Sequence, residues 1–357
     1  MEEQFMALAI AKAKEGRRQT YTNPLVGAVI VKDNQVIAEG AHLKYGGYHA
    51  ERQAIIACQN TEQLKGATLY VTLEPCHHQG KQPPCTESIV QAGITRVVIA
   101  QLDPNPLVAG KGRRFLEKQG IKVDVGLLKE KAEALNPYYN HFYRHGRPYI
   151  VLKSAMSLDG KIAFKGKRTA LTGQKARELV HQERDDYQAI LIGSETALLD
   201  NPSLLGTKSS LLPPIRVVLD RRGRLFSQRQ LQLFTNDEAP VYLFSQRSEE
   251  DLPAHVSVFC DPDWTVDKVV KKLAEEGIQS LYVEGGSRIH DAFYEAGLWD
   301  EYLLYLAPVL LGGNALGSMS SSRRSQRLTY LSDVSLEQVG EDWRISAKRK
   351  EDPCLQD

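Results

Sequence analysis

The chain has 357 residues, which is long enough for two domains with separate hydrophobic cores. Its 45 basic and 44 acidic residues leave a net charge of +1, which argues against a dedicated nucleic-acid binder. We find no apolar run of membrane-spanning length and no signal-peptide pattern, and the five cysteines are an odd and sparse set. We therefore expect a cytoplasmic protein without a membrane partner or a disulfide framework.

The first half of the chain alternates predicted helices and strands in the order αββαβαβαβ. Hydrophobic spacing predicts, in chain order, a helix over 1–15, a hairpin of strands 27–31 and 35–38, a helix beginning at His49, a strand over 67–73, a helix over 86–92, a strand over 96–100, a helix over 111–119 and a strand over 121–125. Pro75 would suit the first position of a helix after strand 67–73. This order predicts a three-layer α/β/α domain.

The second half of the chain follows a predicted linker. Segment 135–148 is polar, aromatic and proline-bearing, which places one domain at 1–146 and another at 147–357. After it, the pattern predicts strands at 149–154, 189–193, 214–220, 240–245, 280–284, 301–307 and 343–348, and helices at 174–185, 265–276 and 287–296. The second domain is therefore expected to be α/β, with a mostly parallel sheet and one antiparallel strand at its end.

A candidate zinc site lies in the first half. His49 and the thiols of Cys76 and Cys85 are nitrogen and sulfur donors, which zinc prefers, and a catalytic zinc uses three protein ligands plus a water molecule. Bound zinc lowers the pKa of that water towards neutrality. Glu51 is not needed as a ligand and is placed to carry protons. This pattern is typical of zinc-dependent nucleobase deaminases, except that eight residues instead of two separate the cysteines.

Three glycine-rich or turn segments of the second half are candidates for binding a phosphate-bearing cofactor. Val283 to Ser287 is a strand that leads through a glycine pair into a helix, whose N-terminus can bind phosphate. Leu311 to Gly313 is a similar loop, and Leu199 to Pro202 is a turn with a carboxylate at Asp200. Taken alone, each of these segments is more often a simple turn than a nucleotide site.

Both halves together resemble the bifunctional riboflavin biosynthesis proteins, in which a pyrimidine deaminase is fused to a uracil reductase. In the first half the resemblance rests on Thr22-Asn23-Pro24, Val26-Gly27, His49-Ala50-Glu51, Thr72 to Cys76, Pro83-Pro84-Cys85 and Asp103 to Pro106. In the second half it rests on Lys153, Ser157 to Gly160, Arg184, Thr196, Asp200-Asn201-Pro202, Glu284-Gly285-Gly286, Ala307-Pro308 and Leu311 to Gly313. The eight-residue spacing between the cysteines is the spacing of this family.

The resemblance implies a cytidine-deaminase-like first domain and a dihydrofolate-reductase-like second domain. It implies one Zn²⁺ per chain for the deaminase and NADPH for the reductase. The small-molecule substrate would be 2,5-diamino-6-ribosylamino-4(3H)-pyrimidinone 5′-phosphate, which would lose its 2-amino group as ammonia. The ribosyl group would then be reduced to ribityl. We also expect a homo-oligomer.

The resemblance assigns roles to individual residues of this chain. The zinc ligands would be His49, Cys76 and Cys85, and the catalytic groups Glu51 and Asp200. The deaminase would bind its substrate through Asn23, His42, Lys81, Asp103 and Asn105. The reductase would bind its substrate through Lys153, Arg168, Arg184, Leu204 and Glu284. NADPH would contact Ala155, Ala170, Thr196, Asp200, Gly285, Gly286, Ser287 and Arg288.

The second half departs from the family pattern in places, and other interpretations stay open. The departures are Arg168-Thr169-Ala170, Thr207-Lys208 and Ser287-Arg288, which leave open a monofunctional deaminase with a decayed reductase half. A structural zinc site, with His77 or His78 as a fourth ligand, would suit a nucleotide-sensing protein without enzymatic activity. A deaminase that edits nucleic acids would share the zinc motif, but the balanced charge disfavours it.

Overall fold

The structure is a computed structural model that describes residues 1–77, 83–319 and 328–350. The chain divides into two compact units, Met1–Gly146 (unit 1) and Arg147–Asp357 (unit 2). Across the described ranges, no helix is both long enough and apolar enough to cross a membrane.

Unit 1 alternates helices and strands around one sheet. In chain order its elements are α1 (Glu2–Ala13), β1 (Gly27–Lys32), β2 (Gln35–Ala41), α2 (Ala50–Ala57), β3 (Thr68–Leu73), α3 (Cys85–Gln91), β4 (Arg96–Gln101), α4 (Lys111–Lys118), β5 (Lys122–Val125), α5 (Lys129–Glu133) and α6 (Pro137–His145). Short 3-10 helices lie at Lys14–Gly16 and Thr61–Leu64.

The sheet of unit 1 lies between two helical layers. Its strand order is β2-β1-β3-β4-β5, with β1 antiparallel to both of its neighbours and β3, β4 and β5 parallel. Because side chains alternate between the faces of a strand, Ile30 and Leu69 pack against α2, α3 and α4. Val29 and Tyr70 point the other way and pack with Met6 of α1. The predicted three-layer α/β/α fold is confirmed.

The β1–β2 hairpin turns as its sequence predicts. Asp33 and Asn34 both have positive φ, 50° and 61°, as a two-residue type I′ turn requires. The turn pairs Lys32 with Gln35, and the hairpin returns the chain to Ala41 beside Gly27. The residues that follow β2 therefore begin at the same end of the sheet at which β1 starts.

Unit 2 is larger and contains more strands. Its elements are β6 (Tyr149–Ser157), β7 (Lys161–Ala163), α7 (Gln174–Arg184), β8 (Ala189–Gly193), α8 (Ser194–Asp200), β9 (Ile215–Leu219), α9 (Gln232–Thr235), β10 (Val241–Ser245), β11 (Val256–Cys260), α10 (Val266–Glu275), β12 (Ser280–Gly285), α11 (Ser287–Glu295), β13 (Glu301–Ala307), β14 (Leu316–Gly317), β15 (Leu331–Val339) and β16 (Asp342–Arg349).

A nine-stranded sheet forms the centre of unit 2, in the order β11-β10-β9-β8-β12-β6-β13-β16-β15. Its pairs are parallel from β11 to β13, and β16 is antiparallel to both β13 and β15. Val151 and Ile190 contribute to the core on one face, and Leu152 and Leu191 to the core on the other. The mostly parallel sheet with an antiparallel final strand is confirmed.

Two local predictions in unit 1 are wrong. The segment predicted as a linker contains helix α6, with Pro137 at its first turn and Gly146 in the left-handed conformation at its end. Proline and glycine are the residues that helices favour at these positions, so both signals mark the helix. Pro75 does not start a helix, because residues 74–77 have no regular secondary structure and α3 begins only at Cys85.

Candidate functional site

Three predicted metal ligands meet in unit 1. The ligand atoms of His49, Cys76 and Cys85 all lie within 4.8 Å of one another. His49 Nδ1 is 3.5 Å from the sulfur of Cys76 and 3.2 Å from that of Cys85. This compact group of one imidazole and two thiols suits zinc, which binds nitrogen and sulfur donors in tetrahedral geometry.

Helix starts place two of the three ligands. His49 is the N-cap of α2, and Cys85 is the first residue of α3. The positive end of a helix dipole favours thiolate over thiol, which suits a metal ligand. Cys76 lies in the loop that follows β3.

Glu51 lies in the first turn of α2 with only 3% of its surface exposed. Burial raises the pKa of its carboxyl group to about 7, although the charge of His49 opposes that rise. A carboxyl group with a pKa near neutrality can both accept and donate a proton at physiological pH. The position and the electrostatics of Glu51 therefore suit a proton carrier beside the metal ligands.

His77 is not part of the metal group and makes other contacts. Its Nδ1 lies 2.9 Å from the hydroxyl of Thr86, and its ring stacks on Phe115 at a centroid distance of 4.0 Å. Among the described residues, the metal group contains no fourth His, Cys, Asp or Glu ligand. His78 lies outside the described residues.

Asn23 and His42 form one side of the site. Asn23 Nδ2 lies 3.1 Å from His42 Nε2, and His42 Nδ1 lies 3.0 Å from the carbonyl oxygen of Tyr48. Burial lowers the pKa of His42, so the ring is neutral, with Nδ1 donating to Tyr48 and Nε2 accepting from Asn23. The His42 ring also meets the ring of His49 edge to face at 5.4 Å. One predicted substrate residue, His42, thus contacts a predicted metal ligand, His49.

Asp103 and Asn105 lie in the loop after β4. The backbone amide of Asn105 donates to Asp103 Oδ1 at 2.8 Å. Buried Glu74 accepts hydrogen bonds from the amides of Asp103, Gly110 and Arg113, which ties this loop to the strand that leads to Cys76. Lys81, the remaining predicted substrate residue of the deaminase, lies outside the described residues.

A cavity of about 1730 Å³ opens within unit 2. Twelve of the thirteen residues predicted to bind the reductase substrate or NADPH line it: Lys153, Ala155, Arg168, Arg184, Thr196, Asp200, Leu204, Glu284, Gly285, Gly286, Ser287 and Arg288. Ala170 is not among the lining residues. The lining also includes many residues that the sequence pattern does not single out, among them His181, Arg221, Arg222 and Arg224.

An ion pair forms part of the cavity wall. Arg184 Nε and Nη2 donate to the two oxygens of Glu284 at 2.6 and 2.9 Å, and Arg184 Nη1 donates to the carbonyl of Leu205. Burial alone would raise the pKa of Glu284, but the charges of Arg184 and Lys153 hold it down at about 2. Burial lowers the pKa of Lys153. This part of the wall therefore groups two basic side chains, Arg184 and Lys153, around one buried carboxylate, Glu284.

The Gly285-Gly286 pair provides a narrow approach to the N-terminus of α11. Gly286 has φ 103° and ψ 150°, and a side chain at this position would start 3.2 Å from Thr196 Oγ1. Thr196 donates to the carbonyl of Gly285 at 3.2 Å. The hydroxyl of Ser287 is buried and has no hydrogen-bond partner in the described part of the chain. The N-terminus of α11, which no side chain at Gly286 covers, therefore suits a phosphate group.

The second candidate phosphate loop, Leu311 to Gly313, makes hydrogen bonds within the protein. The amides of Leu311 and Gly312 donate to the carboxylate of Asp159 at 3.1 and 2.7 Å. The loop is also absent from the lining of the cavity. Two of the three amides of this candidate loop are therefore engaged by a side chain of the protein itself.

Family comparisons match both units. The model for the cytidine and deoxycytidylate deaminase zinc-binding region matches residues 1–101, and the model for the RibD C-terminal domain matches residues 148–345. The latter covers more than half of the chain.

Full-length relatives carry the same combination. Riboflavin biosynthesis protein RibD of Bacillus amyloliquefaciens is 43% identical, with 98% of this chain and 97% of the relative covered. The RibD of Aquifex aeolicus is 37% identical, with 98% of this chain and 99% of the relative covered. The structure of Acinetobacter baumannii RibD has a TM-score of 0.89 at 36% identity, with 98% of this chain and 99% of that chain covered. A Thermotoga maritima structure, described as a diaminohydroxyphosphoribosylaminopyrimidine deaminase/5-amino-6-(5-phosphoribosylamino)uracil reductase, has a TM-score of 0.85 at 36% identity, with 98% of each chain covered.

Proposed function

This chain belongs to the RibD family of bifunctional riboflavin biosynthesis proteins, and from that premise we propose which of its residues carry out the two reactions. The protein is a zinc-dependent pyrimidine deaminase and an NADPH-dependent reductase. We assign deamination to unit 1 and reduction to unit 2. The observation that carries the assignment is the grouping of His49, Cys76 and Cys85 in unit 1, since these donors suit a catalytic zinc.

In unit 1, His49, Cys76 and Cys85 would hold zinc, which when bound makes hydroxide available at neutral pH. Glu51 would accept a proton from the attacking water and donate it to the departing ammonia. Its raised pKa, about 7, supports this double role. Asn23, His42, Asp103 and Asn105 would bind the pyrimidine ring and sugar phosphate, and Lys81 would join them. The ring would thereby lose its 2-amino group.

In unit 2, the cavity suits NADPH and the ribosyl pyrimidine phosphate together, because it is large and basic side chains such as Arg221, Arg224 and Arg288 are among those that line it. Gly285, Gly286, Ser287 and Arg288 would bind cofactor phosphates at the start of α11, where the unpartnered Ser287 hydroxyl supports the assignment. NADPH supplies the hydride when it is bound.

Other residues of the cavity would contact the substrate or the nicotinamide half of the cofactor. The remaining assignments follow the family resemblance: Lys153, Arg168, Arg184, Leu204 and Glu284 to the substrate, and Ala155, Thr196 and Asp200 to NADPH. Burial raises the pKa of Asp200, which helps its carboxyl group to hold and pass a proton as the sugar ring opens.

One experiment separates the two activities. The protein is incubated with the diaminopyrimidine ribose phosphate, with and without NADPH, while ammonia and the absorbance of reduced nicotinamide are followed separately. Ammonia should appear without NADPH, and NADPH oxidation should follow when it is added. Supplying the deaminated intermediate should give NADPH oxidation without ammonia. Ammonia release without any NADPH oxidation would instead indicate a decayed reductase half.

We also propose a cytoplasmic homo-oligomer. The metal-binding thiols must stay reduced, and the described cysteines are all free, as suits a reducing compartment. Strand β15 is the edge of the large sheet, and this strand and the residues just before it expose an apolar surface. The side chains of this surface are Leu328, Tyr330, Leu331, Val334 and Leu336. Exposed apolar edges of this kind suit pairing with a second copy of the chain, and light scattering would give the number of copies.

A further inference from the structure

Helix α6 contributes a side chain to the deaminase site. The hydroxyl of Tyr139 lies 3.0 Å from Asp103 Oδ1 and 3.2 Å from Oδ2. Both side chains are buried, with 8% of Tyr139 and 7% of Asp103 exposed. The helix follows the residues matched by the deaminase family model, which end at residue 101. The polar, proline-bearing sequence of this segment predicts a linker and gives no sign of this contact.

The hydroxyl of Tyr139 satisfies a carboxylate that would otherwise be costly to bury. An unpaired charge in a protein interior is strongly unfavourable. The Asn105 amide reaches Oδ1 of Asp103, whereas the Tyr139 hydroxyl lies within reach of both oxygens. Burial and the nearby carboxylate raise the pKa of Tyr139, so the phenol keeps its proton and remains a donor. The contact therefore fixes how the Asp103 carboxylate is turned.

Neighbouring residues hold Tyr139 in place. Asn136, at the start of α6, accepts from the backbone amide of Leu25 at 2.7 Å and donates to its carbonyl at 2.9 Å. Asn140 accepts a hydrogen bond from Gln101 at 2.6 Å. These contacts lie three residues before and one residue after Tyr139, so they fix the part of α6 that carries its side chain.

We propose that Tyr139 is a positioning residue of the deaminase, whose hydroxyl aims the Asp103 carboxylate at the substrate. The proposal rests on the substrate-binding role proposed above for Asp103. Because the hydroxyl orients a binding group and takes no part in bond breaking, its loss should weaken substrate binding more than turnover. The metal ligands, which lie on other elements, should be unaffected.

The test is Tyr139→Phe in the full-length, zinc-loaded protein, because this change removes only the hydroxyl. We expect kcat/KM for ammonia release to fall about tenfold, mainly through a higher KM, as for a hydrogen bond to a charged group. Zinc content should stay at one per chain, and reduction of supplied deaminated intermediate should be unchanged. Tyr143→Phe is the matched control, because Tyr143 lies on the same helix and packs against the Tyr139 ring. It should behave as wild type.

The pH profile gives a readout that simple loss of packing would not move. Burial raises the pKa of Asp103 to about 6, with the nearby charges of Glu74 and Cys76 adding to the rise, and the hydrogen bonds from Asn105 and Tyr139 oppose it. The ionised carboxylate of Asp103 can accept hydrogen bonds from substrate at both oxygens and is the stronger acceptor, whereas the protonated group turns one oxygen into a donor. Removing the Tyr139 hydroxyl should therefore shift the acid limb of kcat/KM to higher pH, while Tyr143→Phe leaves it in place.

A double-mutant cycle with Asp103→Asn decides the outcome. If Tyr139 acts through Asp103, the double variant should be no worse than Asp103→Asn alone. Four results would each overturn the proposal. Two of them are effects that multiply in the double variant and a defect in Tyr143→Phe equal to that in Tyr139→Phe. The other two are loss of zinc from Tyr139→Phe and wild-type kinetics of Tyr139→Phe beside a defective Asp103→Asn. Wild-type kinetics of Asp103→Asn would instead remove the substrate role of Asp103 from the proposed function.

Discussion

The two candidate sites differ in how much of the chain builds them. The metal site of unit 1 brings three ligand atoms within 4.8 Å of one another, from two helix starts and one loop. The cavity of unit 2 encloses about 1730 Å³ and is lined by residues between Lys153 and Leu316. One site is small and depends on a few atoms, whereas the other is large and shared among many elements.

This difference predicts how each site responds to damage. A metal ion needs nearly all of its ligands, so one substitution can remove it. A dinucleotide makes many contacts, so losing one of them weakens binding without abolishing it. A substitution of a metal ligand in unit 1 should therefore abolish activity, whereas a substitution in the cavity of unit 2 should weaken cofactor binding only in part.

The largest effect is expected from Cys85→Ser. A serine oxygen is a poor replacement for thiolate at zinc, so the metal should be lost. Ammonia release should fall by more than about 10⁴-fold, because zinc is what makes hydroxide available at neutral pH. Metal analysis and an ammonia assay measure both effects. Reduction of supplied deaminated intermediate should survive, since unit 2 has its own core.

Cys58→Ser is the matched control for this substitution. Cys58 is also buried in unit 1, with 5% of its surface exposed, but it donates to the carbonyl of Asn60 and is not part of the metal group. It should keep its zinc and its ammonia release. If Cys58→Ser lost zinc as Cys85→Ser does, the loss would have to be attributed to disturbed core packing. The contrast drawn between the two sites would then be wrong.

A smaller but still large effect is expected from Glu51→Gln. The amide keeps the shape of the side chain but cannot shuttle a proton, so ammonia release should fall about 10²–10⁴-fold while zinc stays bound. Glu87→Gln gives the same charge change on α3, where Glu87 is exposed in the first turn, and it should be silent. Near wild-type ammonia release by Glu51→Gln would refute the role assigned to Glu51.

Sequence alone could predict the metal site because the motif is local and chemically restricted. Few residue types bind zinc, and His49, Cys76 and Cys85 meet in the structure as expected. Tyr139 could not be predicted in this way, because its role depends on a contact with Asp103, 36 residues away. A tyrosine carries no signal for such a contact. Its only available hint was the helix itself, bracketed by Pro137 and Gly146.

The fold shows the same division between strong and weak signals. Buried strands such as β8 and β12 are short apolar runs, and their hydrophobic pattern located them. The edge strands β11 and β15 were missed, since most of their side chains are at least partly exposed and carry no clear alternation. Short helices such as α9 were also missed. Their positions depend on tertiary contacts, such as those of Gln232 with Asn201.

Among the substitutions that compare the two sites, Gly286→Val is expected to have the smallest effect, and it tests whether the cavity of unit 2 responds gradually. At φ 103° and ψ 150°, Gly286 occupies a region of backbone conformation used almost only by glycine, and such strain costs roughly 1–3 kcal/mol. The new side chain would also start beside Thr196 Oγ1, where the proposed phosphate must approach. The apparent KM for NADPH should rise about 10- to 100-fold, with ammonia release unchanged, because the remaining contacts of the cofactor are kept.

Gly277→Val separates obstruction of the cofactor from strain in the backbone. Gly277 also has a positive φ, 77°, but it follows α10, has open space around it and does not line the cavity. Both variants should lower the thermal stability of unit 2, and only Gly286→Val should raise the KM for NADPH. An equal rise in both would show that unit 2 loses cofactor affinity through general destabilisation. Complete loss of NADPH binding in Gly286→Val, with unit 2 still folded, would show that this cavity depends on one contact as sharply as the metal site depends on one ligand.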